Sequence, residues 1–243
     1  MARPWKSVLI DESGEPLLPI PSALVRLSPH PYMALGAPYG GLDPFWLREG
    51  VIDRLISANN ELRRVFPKYR LAIFDAWRPI QVQSFMFQHA VRKQFRLYGF
   101  DLPVERDSPE HKAIEEEVKR FWAVPSSDLL TPPPHSTGGA VDLTLVDLDG
   151  NQLDMGGEID EVSEISEPNY YASKAQLEPQ SEFFHWDNRR RVLATIMSSF
   201  DFAQHPNEWW HFSFGDQLWA WSKGVKCAIY GQSKPPEIRS MTN

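Results

Sequence analysis

The sequence predicts an α+β fold, an antiparallel sheet carrying the chemically active side chains with helices packed on it. Three patterns predict it. Leu71-Ala72-Ile73-Phe74 and Ala140 to Val146 are apolar runs of strand length. Val51, Leu55, Ala58, Leu62 and Val65 recur at the three- and four-residue spacing of one helix face, and Val192, Ile196, Met197 and Phe200 do the same later. At 243 residues and 42% hydrophobic content the chain suits one domain with a proper core, so residues 1–243 are expected to fold as a single unit.

Taken in order, residues 1–31 form a proline-rich extended segment (Pro16, Pro19, Pro21, Pro29, Pro31) expected to wrap the domain. Tyr32 and the glycine-containing loop from Gly36 to Gly41 follow. Pro44 is expected to open a helix running to about Phe66, where Pro67 ends it. The strand Leu71–Phe74 stops at Asp75, and Pro79 begins a helix through Val82, Phe85, Met86, His89 and Phe95 towards Gly99. Arg78 therefore lies at a strand-to-helix junction. Glu110 to Arg120 reads as a solvated helix with Ile114, Val118 and Phe121 as its buried edge, and His111 on it is not expected to be a ligand. Thr131 to Pro134 is a stiff connector that delivers His135 with little backbone freedom left to lose. After Val146 a turn at Asp149-Gly150-Asn151 leads into the acidic, glycine-containing stretch around Asp160. The helix from Asp187 to Phe200 places Arg189, Arg190 and Arg191 on its solvent side. Nine tryptophans, among them Trp209, Trp210, Trp219 and Trp221, suggest an aromatic shell.

Composition excludes several functions. A net charge of -7 with no basic block argues against nucleic acid or an anionic membrane as partner. The lone Cys227 rules out an intrachain disulfide and a cysteine-rich zinc site. No apolar run has signal-peptide or bilayer-spanning length, so a cytoplasmic location is expected.

The chemistry gathers in two segments, His135-Ser136-Thr137-Gly138-Gly139-Ala140-Val141-Asp142 and Glu208-Trp209-Trp210-His211. Two imidazoles and a carboxylate suit a divalent metal such as zinc, with a second carboxylate left over as a base. Seven positions separate His135 from Asp142, and an odd separation on an unbroken strand would send them to opposite faces. Gly138-Gly139 is where a turn or bulge can break that alternation. Beyond it, Asp142 and Thr144 share one face while Val141, Leu143 and Leu145 enter the core. By the same parity His211 sits on a strand with Phe212 and Phe214, and Glu208 in the loop entering it. His205 is the rival ligand. Glu182-Phe183-Phe184-His185 repeats the Glu-x-x-His spacing but reads as helix packing.

With Asp75-Ala76-Trp77-Arg78-Pro79 added, the set resembles the D-alanyl-D-alanine dipeptidases of the vancomycin-resistance type. Their pattern is approximately Ser-x-His-x-x-Gly-x-Ala-x-Asp followed by Glu-x-x-His, preceded by an aromatic-Arg-Pro element. His135, Gly138, Ala140 and Asp142 match the first part, Glu208 and His211 the second, and Arg78 the third; Pro133 stands where the pattern usually has serine. The likeness runs from about Tyr32 to Gly231. It implies one Zn²⁺ per chain on His135, Asp142 and His211, with Glu208 as general base and Arg78 offsetting charge on the peptide carbonyl oxygen. It further implies that Asp160 meets the substrate's ammonium group, that Tyr32 faces the substrate, and that the substrate is a small D,D-dipeptide such as D-Ala-D-Ala with a free amino group. Two alternatives share the metal pattern: a zinc D,D-carboxypeptidase acting on longer peptidoglycan peptides, and a non-catalytic zinc-binding module such as the signalling domain of Hedgehog proteins.

Overall fold

A computed structural model describes residues 3–100 and 108–236. Its strands are β1 (Leu9–Ile10), β2 (Leu17–Pro19), β3 (Val25–Arg26), β4 (Trp46–Arg48), β5 (Arg70–Asp75), β6 (Ala140–Val146), β7 (Ala203–Gln204), β8 (His211–Ser213) and β9 (Cys227–Ala228). The helices are α1 (Pro31–Ala34), α2 (Glu49–Val65), α3 (Ile80–Leu97), α4 (Pro109–Val118), α5 (Ala172–Leu177), α6 (Glu182–Ser199) and α7 (Gln217–Lys223). The central five-stranded sheet has the order β3-β5-β6-β8-β7, antiparallel throughout except at its β3–β5 edge, where the strands run parallel. Among the described residues no helix is long and apolar enough to cross a membrane.

Strand β6 divides the interior. Val141, Leu143 and Leu145 enter the larger core, which Leu55 and Leu62 of α2 and Leu193 and Met197 of α6 fill from one side of the sheet. Asp142 and Thr144 alternate to the other face. There a second core, built on Phe87 and Phe95 of α3, Val118 of α4, Tyr32, Tyr39 and Trp122, stands off from the strand. The candidate site occupies the space between that second core and the sheet.

Several elements depart from the sequence-based expectation. Pro44 does not open a helix: residues 46–48 instead pair as β4 with β2, and α2 starts at Glu49. Val65, expected on the buried face, is 46% exposed at the helix end. The first 31 residues do more than wrap, because they supply a 3-10 turn (Pro4–Ser7) and three short strands, one of which is an edge of the central sheet. Trp221 faces outward, 45% exposed, while Trp209 and Trp210 are buried. Arg190 is not on the solvent side of α6. At 1% exposure its guanidinium donates to the carbonyls of Met155 (2.8 Å), Ile165 (2.7 Å) and Glu167 (3.1 Å), and so ties down the loop that carries Asp160.

The glycine break falls where parity required it. Pro134–Thr137 forms a 3-10 turn, and Gly138 ends it with φ of 72°. A β-carbon on Gly138 would lie 2.1 Å from Leu17 Cδ2, so both backbone and space demand glycine. Gly138→Ala should therefore destabilise the fold by at least about 1–2 kcal/mol, the cost of a left-handed non-glycine residue, as read by urea denaturation.

Candidate metal centre

Two of the three expected ligands sit on neighbouring strands. Asp142 on β6 and His211 on β8 are directly opposite in register. His135 is not on the sheet; it reaches in from the 3-10 turn ahead of β6, past Gly138. The three side chains are buried, and one ligand atom from each lies within 4.8 Å of the others. His135 Nε2 is 3.2 Å from His211 Nδ1, and the Asp142 carboxylate is 3.1 Å from His211 Nδ1 and 3.3 Å from His135 Nε2.

The surrounding residues decide where the imidazole protons sit. His135 Nδ1 faces the Ala76 carbonyl at 2.7 Å and the Asp75 carboxylate at 3.4 Å, both acceptors, so Nδ1 carries the hydrogen and Nε2 presents a lone pair to the cluster. On His211, Nε2 lies 3.2 Å from Ser213 Oγ, whose own hydrogen is donated to Asp216 at 2.7 Å. Nε2 is then the donor, and Nδ1 keeps the lone pair. Two nitrogen lone pairs and a carboxylate thus converge with no hydrogen among them, an arrangement that repels unless a cation lies between. The N, N, O donor set suits zinc, and the residues present fit it.

Glu208 stands beside this cluster. Its Oε2 is 3.7 Å from His211 Nδ1, and its Oε1 is 3.3 Å from Nδ1 of His205. Burial, followed by the Asp142 charge, pushes the Glu208 carboxyl up to about 8. His205, the rival ligand, is not among the converging atoms. Its ring packs 5.5 Å from that of His211, burial lowers its pKa well below the ordinary histidine value, and its Nδ1, beside Glu208, also accepts from the Asn207 backbone N–H at 3.3 Å. His111, as expected, lies away from the cluster against Phe95.

Arg78 is at the β5–α3 junction, with all but one Nη1 hydrogen of its guanidinium engaged. Its Nε and Nη2 donate to Asp75 (3.0 and 2.7 Å), Nη1 to Gln83 (2.8 Å), and Nη2 also to the Tyr32 hydroxyl (3.2 Å) and Asp142 (3.3 Å). The Tyr32 hydroxyl in turn donates to Asp160 at 2.8 Å. Asp160 adopts a left-handed backbone, φ 67°, and burial with the nearby Asp142 charge raises its carboxyl to about 8. Such a conformation in a non-glycine residue costs of order 1 kcal/mol and persists only where the surroundings hold it, here through Arg190 and a bond from Gln94 to the Val162 carbonyl at 3.0 Å. Every site residue expected from sequence is thereby drawn into one contiguous network.

Sequence reasoning passed over Asp75, although it quoted the motif containing it. A register shift between Ile73 and Asp75 turns this residue to pair with Asp142 across the strands. Fully buried, Asp75 also meets His30 Nε2 at 3.0 Å and accepts from the Tyr39 hydroxyl at 3.2 Å. Burial opposes its ionisation, but Arg78 and His30 outweigh that and hold its pKa below the ordinary carboxylate value. An acid ending an apolar strand three residues before an arginine was the available signal.

A buried His-Asp-His cluster able to hold one metal ion, flanked by a free acid and an arginine, is the constellation of a metal-dependent hydrolase. Comparison with known proteins places the chain more narrowly. The Peptidase_M15 family model, described as D-ala-D-ala dipeptidase, matches residues 26–229, and the chain belongs to this family. A protein of Synechocystis sp. named D-alanyl-D-alanine dipeptidase is 47% identical over 95% of this chain and 96% of its own length. One of the same name from Escherichia coli is 31% identical over 59% of this chain and 54% of its own. Among solved structures, VanYB in complex with D-alanine-D-alanine aligns with a TM-score of 0.45 at 14% identity, covering 75% of this chain and 80% of that one.

Removing Asp75 would leave the buried Arg78 short of its principal counter-charge. Asp75→Ala should cost about 3–5 kcal/mol of stability, the range for breaking one side of a buried ion pair, measured as a shifted urea midpoint.

Proposed function

We propose that this chain is a zinc-dependent dipeptidase that hydrolyses D-Ala-D-Ala and related D,D-dipeptides bearing a free amino group. The observation that carries the reading is the convergence of His135 Nε2, His211 Nδ1 and the Asp142 carboxylate, each with its lone pair turned inward by its neighbours. His135, Asp142 and His211 would hold the ion. Zinc bound there supplies the Lewis acidity that polarises a carbonyl and makes water nucleophilic near neutral pH.

The chain's own groups do the rest. Glu208, kept outside the ligand set and oriented by His205, takes a proton from the attacking water and returns it to the leaving amine. Arg78 is held rigidly enough by Asp75 and Gln83 to meet the charge growing on the carbonyl oxygen without reorganising. Asp160, with Tyr32 donating to it, accepts the substrate ammonium in a charge-assisted bond, and ion pairing there favours its ionised form. A substrate extended at its amino end has no ammonium to offer and would leave that carboxylate unpaired in a closed site.

One observation favours the second reading, a D,D-carboxypeptidase. A groove of about 830 Å³, lined in part by Tyr32, Lys93, Trp122, Glu158 and Asp160, opens next to Asp160 and has room for a longer peptide. Tyr32 and Asp160, bonded to each other, line the wall of that groove, and Asp160 also lines the cavity of the metal centre, which supports the dipeptidase instead. Both readings are compatible with the cytoplasmic location proposed from the sequence.

Chelation should abolish hydrolysis of D-Ala-D-Ala and added zinc should restore it. Glu208→Ala should keep one zinc per chain yet lose about 10²- to 10⁴-fold in kcat, the usual contribution of a general base; loss of the metal in that variant would make Glu208 a ligand and overturn the assignment. A panel of free and N-acylated dipeptides tests the amino-end reading. The unmodified protein should prefer the free form, and Asp160→Asn should erase most of the preference, whereas equal cleavage of both by the unmodified protein would favour the carboxypeptidase.

A further inference from the structure

The narrow cavity at the metal centre, about 30 Å³, is lined by His135, Asp142, His211, Glu208 and Asp160 and also, from the far end of the sequence, by Arg3. Asp160 borders the wide groove on one side. Arg3 borders two other cavities, one of them walled by Pro132, Pro133 and Pro134. Both residues line the cavity of the metal centre, and each also borders an outer cavity that the other does not, an acid on one and a cation on the other.

Arg3 is placed there by a built arm. Trp5 is buried, its ring 5.6 Å from that of His205 and 5.6 Å from that of Trp221. Gln217 of α7 donates to the Val8 carbonyl at 2.6 Å, and the 3-10 turn closes through Lys6 N–H to the Arg3 carbonyl at 3.1 Å. The Arg3 guanidinium lies 5.7 Å from the Trp5 ring and donates once, from Nη2 to the Lys119 carbonyl at 3.2 Å.

Donor accounting then singles it out. The other arginine of the cavity, Arg78, already makes five bonds, and the Gln83 amide is used at both ends, accepting from Arg78 and donating to the Ala123 carbonyl at 2.6 Å. His135 Nε2 and His211 Nδ1 lie 3.2 Å apart and would be taken up by the proposed ion. Pro133, on the wall that Arg3 borders, has no side-chain donor to offer. Among the described residues, Arg3 is the cavity-lining cation whose hydrogen-bonding capacity is mostly unspent.

We infer that Arg3 binds the α-carboxylate of the dipeptide and so sets the carboxyl-end specificity of the enzyme. The inference rests on the dipeptidase reading above and extends it. A zwitterionic dipeptide offers an ammonium group and a carboxylate on either side of one peptide bond. Asp160 and Arg3, both lining the cavity of the metal ligands, match that pair of charges. A guanidinium fork suits a carboxylate in two-point contact, and partial burial strengthens the pair relative to water. Arg3 is here a specificity-determining residue; the proton chemistry stays with Glu208.

The test is kcat/KM for D-Ala-D-Ala and for its C-terminal amide, in the unmodified protein, Arg3→Ala and Arg3→Lys. The unmodified protein should prefer the free acid. Arg3→Ala should lose about 10- to 100-fold on the acid, the worth of a hydrogen bond to a charged group, and change on the amide by less than about threefold, so the preference collapses. Arg3→Lys should fall between. An equal loss on both substrates in a variant that melts like the unmodified protein, or an unchanged ratio, would overturn the inference while leaving the dipeptidase reading intact. Should Arg3→Ala fold poorly, the acid-to-amide ratio in Arg3→Lys decides, because a ratio does not depend on the amount of active protein. Failure of the unmodified protein to cleave either substrate would remove both.

Discussion

Three buried carboxyl groups and a half-buried fourth around one buried arginine constrain the rest of this structure. Asp75 and Asp142 lie opposite each other on adjacent strands, a pairing of like charges that is unfavourable on its own. Arg78 resolves it by donating to both, at 2.7 and 3.3 Å. Taking these charges out of water is costly, so the bridge persists only because Arg78 satisfies both acids, and removing either side would leave an uncompensated buried charge. The two remaining acids, Asp160 and Glu208, are each pushed up to about 8 and stay largely protonated at neutral pH while no further cation is present. With those two neutral, Asp75, Asp142 and Arg78 sum to one negative charge. Under the proposed function, a dication at the histidines and an ammonium at Asp160 would offset that charge and favour release of the protons that Glu208 and Asp160 hold.

The orientation of the ligands is owed to groups whose other duties are structural. Asp216 caps α7 by accepting from the Trp219 backbone N–H at 2.9 Å, and through Ser213 the same carboxylate fixes the tautomer of His211. Ala76, whose carbonyl fixes His135, lies between Asp75 and Arg78 at the end of β5. Helix cap, strand end and metal ligand therefore share bonds. Loosening α7 or the end of β5 would be felt as a misdirected lone pair before it was felt as unfolding.

How much of this the sequence could disclose depended on the range of the interactions. Parity along β6, the break at Gly138 and the placing of Glu208 and His211 follow from local geometry, and they hold. Arg78 at a strand-to-helix junction is equally local. Arg190 was misplaced because its neighbours Arg189 and Arg191 suggest a solvated run, whereas its partners are carbonyls more than twenty positions away. The proline-rich start is extended and turn-like as its prolines suggest, but its pairing with β4, β5 and β9 is invisible until those strands are in place. His135 stands on a turn ahead of the strand, since the prolines before it and the left-handed Gly138 after it interrupt the ladder. Asp75 was overlooked because a strand-ending acid looks like an ordinary boundary until the register shift turns it inward.

A closed catalytic space explains why so many charges can be kept out of water productively. Each pair on the path of a dipeptide has a protein partner already oriented: Asp160 by Tyr32, Arg78 by Asp75, Glu208 by His205 and Arg3 by the arm around Trp5. Orientation by a neighbour lowers the entropy lost when substrate binds, and it makes a wrong substrate costly because the unmatched charge has nowhere to turn. Under the proposed function, Asp160 and Arg3 would act together as a gauge of length: a peptide longer in either direction would satisfy one of them at most, while a free dipeptide would satisfy both.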